Sequence, residues 1–251
     1  MIPKIIHACW LGKAVMPEDQ KAYVEGWKKL MPDYEIIVWD DEKFKEYLDD
    51  SKFVKDAIEK KKYGFLSDYF RFTVLYEFGG IYIDTDVEIF KPLDEFLKYK
   101  MFMGFIFDTS IGTALYGVEP HNPLMKEWLQ ILESDYEAKG TFTVSNDWIT
   151  KYFLDNYDDF LLNGQRQSLK CGIEIFPKEY FERYQLNKKK PGGYAEHHCA
   201  GSWNDNKGVP LWKRILKKIL PRRLVSYLGH KSKIKDTPYY SVYLKHRKVK
   251  K

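Results

Sequence analysis

The sequence has few cysteines and no long apolar run. Cys9, Cys171 and Cys199 lie far apart and are odd in number. They form neither a disulfide framework nor a CxxC zinc pattern, which favours a reducing compartment. The first residues, Met1–Lys4, contain no basic stretch leading into an apolar one, and no apolar run approaches the length that spans a membrane. We expect a soluble or peripheral protein.

The charge is distributed unevenly along the 251 residues, 44% of which are hydrophobic. Residues 207–251 hold fifteen lysines and arginines and one acid, Asp236, so this segment is +14 and the remainder is −9. We therefore predict a body over residues 1–206 and a basic C-terminal segment over residues 207–251. A basic segment on an acidic body indicates an anionic partner, either a membrane or a nucleic acid. Residues 211–220 alternate apolar and basic pairs, which predicts an amphipathic helix suited to an anionic membrane surface.

The body alternates between strand and helix patterns. A strand–helix–strand unit over residues 3–12, 18–31 and 34–39 predicts a right-handed parallel crossover. Further strands are predicted over residues 81–87, 101–107, 111–118 and 173–177. Further helices are predicted over residues 44–62, 65–76, 123–132 and 145–157. This order indicates an α/β fold with a mostly parallel sheet, which binds ligands beyond the carboxyl ends of its strands.

The stretch after the paired glycines Gly79 and Gly80 carries the strongest chemical signal. A short apolar strand ends there in Asp84 and Asp86. Because strand side chains alternate between faces, these two carboxylates are predicted to point the same way. Their repulsion is relieved if a divalent cation lies between them, and a cation with only two protein ligands accepts phosphate oxygens as well. We predict a metal–diphosphate site.

The helix predicted just upstream contains a charged pair. Asp68 and Arg71 are three residues apart and therefore share one face of a helix that has few other polar residues. An intrahelical ion pair would account for them locally. Unpaired charge is costly in such an apolar setting, however, and a buried pair beside an Asp-x-Asp motif favours a functional site.

Three other stretches leave alternatives open. Trp10 ends the first strand, where it would either pack in the core or stack on a base. Residues 145–147, Ser-Asn-Asp, suit a helix N-cap as well as a site. His197 and His198 are adjacent in a predicted strand, so only one of them can face a metal.

In their order and spacing these pieces resemble family 32 glycosyltransferases, a group that includes bacterial capsular polysaccharide enzymes and fungal initiating mannosyltransferases. The matching pieces, which span residues 2–203, are Ile2–His7 with Trp10–Gly12, Ser67-Asp68-x-x-Arg71, Leu75-Tyr76-x-x-Gly79-Gly80-Ile81-Tyr82-x-Asp84-x-Asp86, and His197-His198 through Ser202-Trp203. The resemblance implies a GT-A-like fold and retaining transfer of a hexose from a nucleotide-sugar, by default a UDP-sugar, with Mn²⁺ or Mg²⁺.

The resemblance also implies partners, and the basic C-terminal segment indicates a location. The acceptor would be a glycan or a lipid-linked glycan in cell-surface polysaccharide synthesis, and no nucleic acid is expected. We predict a cytoplasmic protein held at the inner face of the cell membrane through residues 207–251.

The resemblance further implies a role for individual residues. The donor-binding set would be His7, Trp10, Gly12, Ser67, Asp68, Arg71, Gly80, Tyr82, Asp84, Ser202 and Trp203. The metal ligands would be Asp84 and Asp86 with His197 or His198. The catalytic set would be Asp84, Asp86, Arg71, Asn146 and Asp147. Related enzymes often carry Gly-Pro where this chain has residues 145–147, so the group beneath the anomeric carbon stays open between Asn146 and Asp147.

Two rival functions fit parts of the sequence. The apolar strand with Asp84 and Asp86 also fits a haloacid dehalogenase-like phosphatase, with Asp84 as nucleophile. That class places the motif on its first strand, and it leaves Gly79-Gly80 and the Asp68–Arg71 pair unexplained. The second rival is a non-enzymatic, basic-tailed membrane adaptor, which gives the paired aspartates no role.

Overall fold

The computed structural model describes residues 1–182, 193–199 and 234–249. The strands described are β1 Ile5–Cys9, β2 Glu35–Trp39, β3 Gly80–Ile83, β4 Val87–Ile89, β5 Met101–Phe107, β6 Ser110–Val118, β7 Gln167–Ser168, β8 Ile173–Phe176 and β9 Ala195–His197. Seven of them form one sheet in the order β2-β1-β3-β6-β5-β8-β7. The other two, β4 and β9, pair antiparallel beside it.

The central sheet is mixed but mostly parallel. Strands β1, β2 and β3 are mutually parallel, and β5 and β8 run the same way, whereas β6 and β7 are antiparallel to their neighbours. Five of the seven strands therefore share one direction. The predicted α/β class with a mostly parallel sheet is confirmed.

The helices described flank this sheet. They are α1 Glu18–Leu30, α2 Asp41–Phe44, α3 Lys52–Glu59, α4 Tyr63–Phe78, α5 Pro123–Lys139, α6 Ser145–Asn156, α7 Lys178–Phe181 and α8 Tyr240–His246. The single helix predicted over residues 44–62 is wrong. A 3-10 turn, Lys45–Tyr47, is followed by extended backbone at Leu48, and helix α3 begins only where the Ser51 hydroxyl accepts a bond from the Val54 amide at 3.3 Å.

Helix α4 lies at the centre of the larger core cluster. Its residues Phe70, Phe72 and Leu75 are fully buried, and it packs against α3, α5 and strand β1. This burial agrees with the apolar composition of α4, which predicted a mostly buried helix. The α4 helix ends at Gly79, and Gly80 then starts β3 with a φ of +99°. A Cβ at Gly80 would stand 2.6 Å from the Ile5 carbonyl oxygen, so close β1–β3 packing requires glycine there.

The C-terminal part of the chain that the structure describes, residues 234–249, packs against the body. The Tyr239 hydroxyl donates to the Asp147 carbonyl at 2.9 Å, and His246 Nδ1 accepts from the Leu162 amide at 2.9 Å. Val242 and Tyr243 contact the larger core cluster. The amphipathic helix predicted over residues 211–220 lies outside the described residues. Within the described ranges, no helix combines the length and the apolar content needed to cross a membrane.

Candidate metal and donor site

Asp84 and Asp86 lie in a turn between β3 and β4 rather than in a strand. The Val87 amide donates to the Asp84 carbonyl at 3.0 Å, which closes the turn. The strand-alternation argument for their shared direction is therefore wrong. The two carboxylates nevertheless converge, because the turn places their oxygens and a nitrogen of His197 all within 4.8 Å of one another.

The two adjacent histidines face different partners. His197 Nε2 lies 3.5 Å from an Asp86 oxygen. The His198 ring stacks on Tyr23 with centroids 4.8 Å apart, and its Nε2 lies 3.1 Å from Glu88. The sequence left the choice between them open, and the geometry brings His197 to the aspartates and turns His198 away. We call Asp84, Asp86 and His197 the metal rim.

A buried carboxylate lies behind His197. His197 Nδ1 lies 2.9 Å from Glu182 Oε2, and the Glu182 side chain is only 4% exposed. Burial opposes a proton on His197, but the negative charge of Glu182 outweighs it and raises the pKa of His197 well above its usual value. Sequence reasoning missed Glu182, which follows a four-residue helix and has no motif around it.

Asp68 and Arg71 form a buried cluster with the site. Arg71 lies 3.2 Å from Asp68 and 3.6 Å from Asp84, and both members of the helical pair are 6–7% exposed. The guanidinium also donates to the Thr113 carbonyl at 2.8 Å and lies over the Tyr82 ring. The predicted placement of this pair beside the aspartates agrees with the structure. Protein groups enclose the guanidinium, which positions Asp68 and Asp84, and the predicted donor contact of Arg71 stays a prediction.

Tyr82 joins this cluster to the metal rim. Its hydroxyl donates to Asp84 Oδ1 at 2.7 Å, and the residue is 1% exposed, so it orients the Asp84 carboxylate. Burial raises the pKa of Asp84, repulsion from Asp86 adds to that rise, and Arg71 opposes both. Burial likewise raises the pKa of Asp68 to about 6 against the effect of Arg71. Ser67 supports Arg71 by accepting from it through its hydroxyl at 3.2 Å.

The start of α6 closes the cluster from the other side. The Ser145 hydroxyl donates to Asp68 Oδ1 at 3.0 Å, and Asn146 Oδ1 accepts from the Thr113 hydroxyl at 2.7 Å. The N-cap is Val144 and no side chain caps the helix, so the N-cap role considered for residues 145–147 does not hold. Asp147 is exposed. We call Asp68, Arg71, Tyr82 and Ser145 the inner wall.

A cavity of about 270 Å³ opens beyond the carboxyl ends of β1 and β2. Its lining residues come from the loops after both strands and from α2, α3 and α4: Leu11, Gly12, Lys13, Asp41, Phe44, Leu48, Ile58, Tyr63 and Leu66. The Asp41 carboxylate accepts from the amides of Gly12 and Lys13 at 3.0–3.2 Å, which fixes the loop. Trp10, half-buried, precedes this loop.

Two residues predicted to bind the donor are buried among protein groups. His7 is fully buried, accepts from Trp39 Nε1 at 3.1 Å through Nδ1 and donates to the Gly79 carbonyl at 3.0 Å through Nε2. Burial lowers the pKa of His7 to about 4, so it is neutral at pH 7. Gly80 is buried between β1 and β6. Ser202 and Trp203 lie outside the described residues.

The metal rim suits a divalent cation. Two carboxylate oxygens are ligands that Mg²⁺ and Mn²⁺ accept, and an imidazole nitrogen favours Mn²⁺ of the two. Mutual repulsion contributes to the raised pKa of Asp84, and a cation between the carboxylates would relieve it. Three protein ligands leave coordination positions for phosphate oxygens.

Carboxylates in a turn beyond a central strand of an α/β sheet are typical of enzymes that bind nucleotides. A profile of the family described as "Glycosyltransferase sugar-binding region containing DXD motif" matches residues 17–103, which include Asp84 and Asp86. The match includes the aspartates on which the predicted resemblance depends, and the resemblance to DXD-containing glycosyltransferases is confirmed over these residues. The match favours a glycosyltransferase over the phosphatase and the adaptor.

Several relatives have names that describe glycosyl transfer. Inositol phosphoceramide mannosyltransferase 2 of Schizosaccharomyces pombe is 31% identical over 140 residues, 55% of this chain and 40% of that protein. Mannosyl phosphorylinositol ceramide synthase SUR1 of Saccharomyces cerevisiae is 30% identical over 53% of this chain and 35% of its own length. The chain thus spans less than half of these fungal proteins. The uncharacterized glycosyltransferase L373 of Acanthamoeba polyphaga mimivirus is 26% identical over 79% of this chain and 80% of its own length.

Solved structures of glycosyltransferases are also similar to this chain. The PaToxG glycosyltransferase has a TM-score of 0.48 at 21% identity and covers 55% of this chain and 62% of its own. The galactosyltransferase LgtC has a TM-score of 0.41 at 12% identity and covers 90% of this chain and 99% of its own.

Proposed function

We propose that the chain is a metal-dependent, retaining hexosyltransferase that uses a nucleotide-sugar donor and a glycan or lipid-linked glycan acceptor. The convergence of Asp84, Asp86 and His197 within 4.8 Å supports this proposal most strongly. These residues would hold Mn²⁺ or Mg²⁺. Once bound, the cation supplies positive charge beside the departing diphosphate.

The chain's own residues prepare this site. Arg71 offsets the charges of Asp68 and Asp84 and so opposes the rise in the pKa of Asp84 that burial causes. Tyr82 holds the Asp84 carboxylate in one orientation through its 2.7 Å hydrogen bond. Such fixed groups need no reorganisation as negative charge develops on the leaving group.

The nucleotide would lie in the cavity beyond β1 and β2. Apolar side chains such as Leu11 and Leu66 suit a base, and the backbone of Gly12 and Lys13 is held in place by Asp41. The resemblance favours a UDP-sugar. The names of the fungal relatives favour mannose, for which GDP-mannose is the alternative donor.

Retention fits attack from the donor's front face, since Asn146 at the inner wall is an amide and not a nucleophile. Asp147 is the carboxylate that a covalent route would use. Asp147→Asn should leave transfer within tenfold of the parent enzyme, measured with the anomeric product resolved by NMR. A thousandfold loss would establish the covalent route instead.

The deciding experiment is a screen of UDP- and GDP-sugars for Mn²⁺-dependent hydrolysis and transfer. We expect one donor to be consumed, and Asp86→Asn to reduce its turnover at least a hundredfold. Glu88→Gln is the matched control, because Glu88 is an acid two residues away that pairs with His198 instead. Equal turnover in the parent and Asp86→Asn, or turnover that survives chelation of the metal, would refute the proposal.

We also propose peripheral attachment at the inner face of the cell membrane through residues 207–251. Each basic residue near an anionic surface contributes about 1 kcal/mol, so Lys217→Gln/Lys218→Gln should weaken binding to anionic vesicles roughly thirtyfold. The pair Lys28→Gln/Lys29→Gln, exposed on α1, is the control. Equal loss in both double variants would argue against a local membrane site.

A further inference from the structure

We propose that Glu182 is a positioning residue that fixes His197 so that its Nε2 lone pair faces Asp84 and Asp86. This inference rests on the proposed function, because it concerns the same metal rim. Glu182 lies outside residues 17–103, which match the family, and contacts among α7, β5, β6 and β9 place it beside His197.

The hydrogen bond between His197 and Glu182 gives the two ring nitrogens of His197 different partners. Glu182 Oε2 lies 2.9 Å from Nδ1, and the opposite nitrogen, Nε2, lies 3.5 Å from Asp86. A carboxylate accepts hydrogen bonds, so it keeps the proton on Nδ1 and leaves Nε2 as the nitrogen able to bind a cation. Metal-binding histidines are commonly oriented in this way, and loss of the outer partner typically weakens metal binding 10–100-fold.

Two facing glycines make room for this carboxylate. Gly104 of β5 and Gly112 of β6 are paired in register. A Cβ at Gly104 would stand 2.7 Å from the Phe181 ring, and one at Gly112 would stand 3.3 Å from Glu182 Oε1. The end of α7 therefore lies directly on bare strand backbone. This close approach brings Glu182 to His197 on β9, and α7 and β9 pack together.

A rival arrangement uses the other side of the ring. Glu182, His197 and Cys199 also offer three ligand atoms within 4.8 Å, with Cys199 Sγ 3.6 Å from Nδ1. A metal bound there would take Nδ1 and leave the aspartates out. The oxygen-rich rim matches a diphosphate-binding cation better, and the 2.9 Å separation of Nδ1 and Glu182 is that of a hydrogen bond.

The test is a direct titration of the full chain with Mn²⁺ in the absence of donor. Electron paramagnetic resonance measures the concentration of free Mn²⁺ at each point. Glu182→Gln and Glu182→Leu should raise the Kd for Mn²⁺ 10–100-fold while Glu179→Gln, on the same short helix but 39% exposed, leaves it unchanged. Gly112→Ala, which alters no ligand, should raise the Kd by a smaller factor by displacing the carboxylate.

Each outcome has a separate meaning. An unchanged Kd in both folded Glu182 variants, checked by circular dichroism in chelator, would overturn the positioning role and leave the proposed function intact. A parent protein that binds no Mn²⁺ would overturn both. Weaker binding in Cys199→Ser together with unchanged binding in Asp86→Asn would place the metal on the other side of the ring and overturn the inference.

Discussion

The inner wall and the metal rim are neighbours that satisfy their charges in different ways. In the inner wall, Asp68 and Arg71 are 6–7% exposed and are held by bonds to protein groups on α4, β6 and α6. In the metal rim, Asp84 is 28% exposed and Asp86 and His197 are 12–15% exposed, and two carboxylates face each other. Protein groups compensate the charges of the wall, whereas the proposed cation would relieve the repulsion within the rim.

This difference predicts that the stability of the fold and the binding of a cation depend on different residues. Substitutions in the wall should destabilise the fold, because they weaken the compensation of buried charges. Substitutions in the rim should alter cation binding with little cost to the fold, because they remove a repulsion. Four variants test that separation, from the largest expected effect to the smallest.

Arg71→Ala should have the largest effect on stability. It leaves Asp68 and Asp84 without their cation, and breaking a buried pair typically costs about 3–5 kcal/mol. Urea unfolding measures the loss. Lys151→Ala, which breaks an exposed pair with Asp155, should cost less than about 0.5 kcal/mol. Similar losses in the two variants would show that the wall is not buried as described.

Mn²⁺ should stabilise the parent protein through the rim. At a concentration one hundred times the Kd, binding to the folded state alone adds about 2.7 kcal/mol to the free energy of unfolding. Asp86→Asn should lose this gain while unfolding like the parent in chelator, and thermal unfolding with and without Mn²⁺ measures both. If Asp86→Asn is strongly destabilised in chelator, the rim is part of the structural framework and the comparison fails.

Tyr82→Phe tests the link between wall and rim. It removes a hydrogen bond to a charged group, which should cost about 2 kcal/mol and weaken Mn²⁺ binding, while the ring over Arg71 is kept. The control is Tyr116→Phe. Tyr116 faces Tyr82 on β6, and its buried hydroxyl has no hydrogen-bond partner among the described residues, so this change should not destabilise the protein.

Ser145→Ala should have the smallest effect. It removes the bond from α6 to Asp68 but leaves the Arg71 pair, so a loss of about 1 kcal/mol in unfolding free energy is expected. Ser134→Ala, an exposed serine that bonds within its own helix α5, should change stability by only a few tenths of a kcal/mol. Equal losses of unfolding free energy in the two variants would mean that the bond from Ser145 to Asp68 stabilises the fold no more than the exposed bond of Ser134.

Sequence patterns predicted the elements whose signals are local. The first strand–helix–strand unit and the charged pair on α4 follow from periodicity and spacing over a few residues. The α/β class and the family were accessible for the same reason, because their motifs lie in short stretches. Among the site residues, spacing also limited the choice at His197 and His198 to one ligand.

The remaining features depend on contacts between distant segments. The turn at Asp84–Asp86 leads into β4, which pairs with β9 more than one hundred residues later and so brings His197 to the aspartates. His7 looks like a ligand in sequence, but Trp39 and Gly79 enclose it. Glu182 depends on space left by Gly104 and Gly112. Ser51, the N-cap of α3, was a local signal for the break before that helix. The charged helical pattern over residues 44–62 favoured one continuous helix instead.

Helix α4 spans from the cavity to the charged cluster and sets a fixed distance between them. Leu66 lines the cavity and Arg71 lies five residues later beside Asp84, a rise of about 7.5 Å along the axis. A packed helix does not stretch, so the separation between the cavity and the charged cluster is fixed before any ligand arrives.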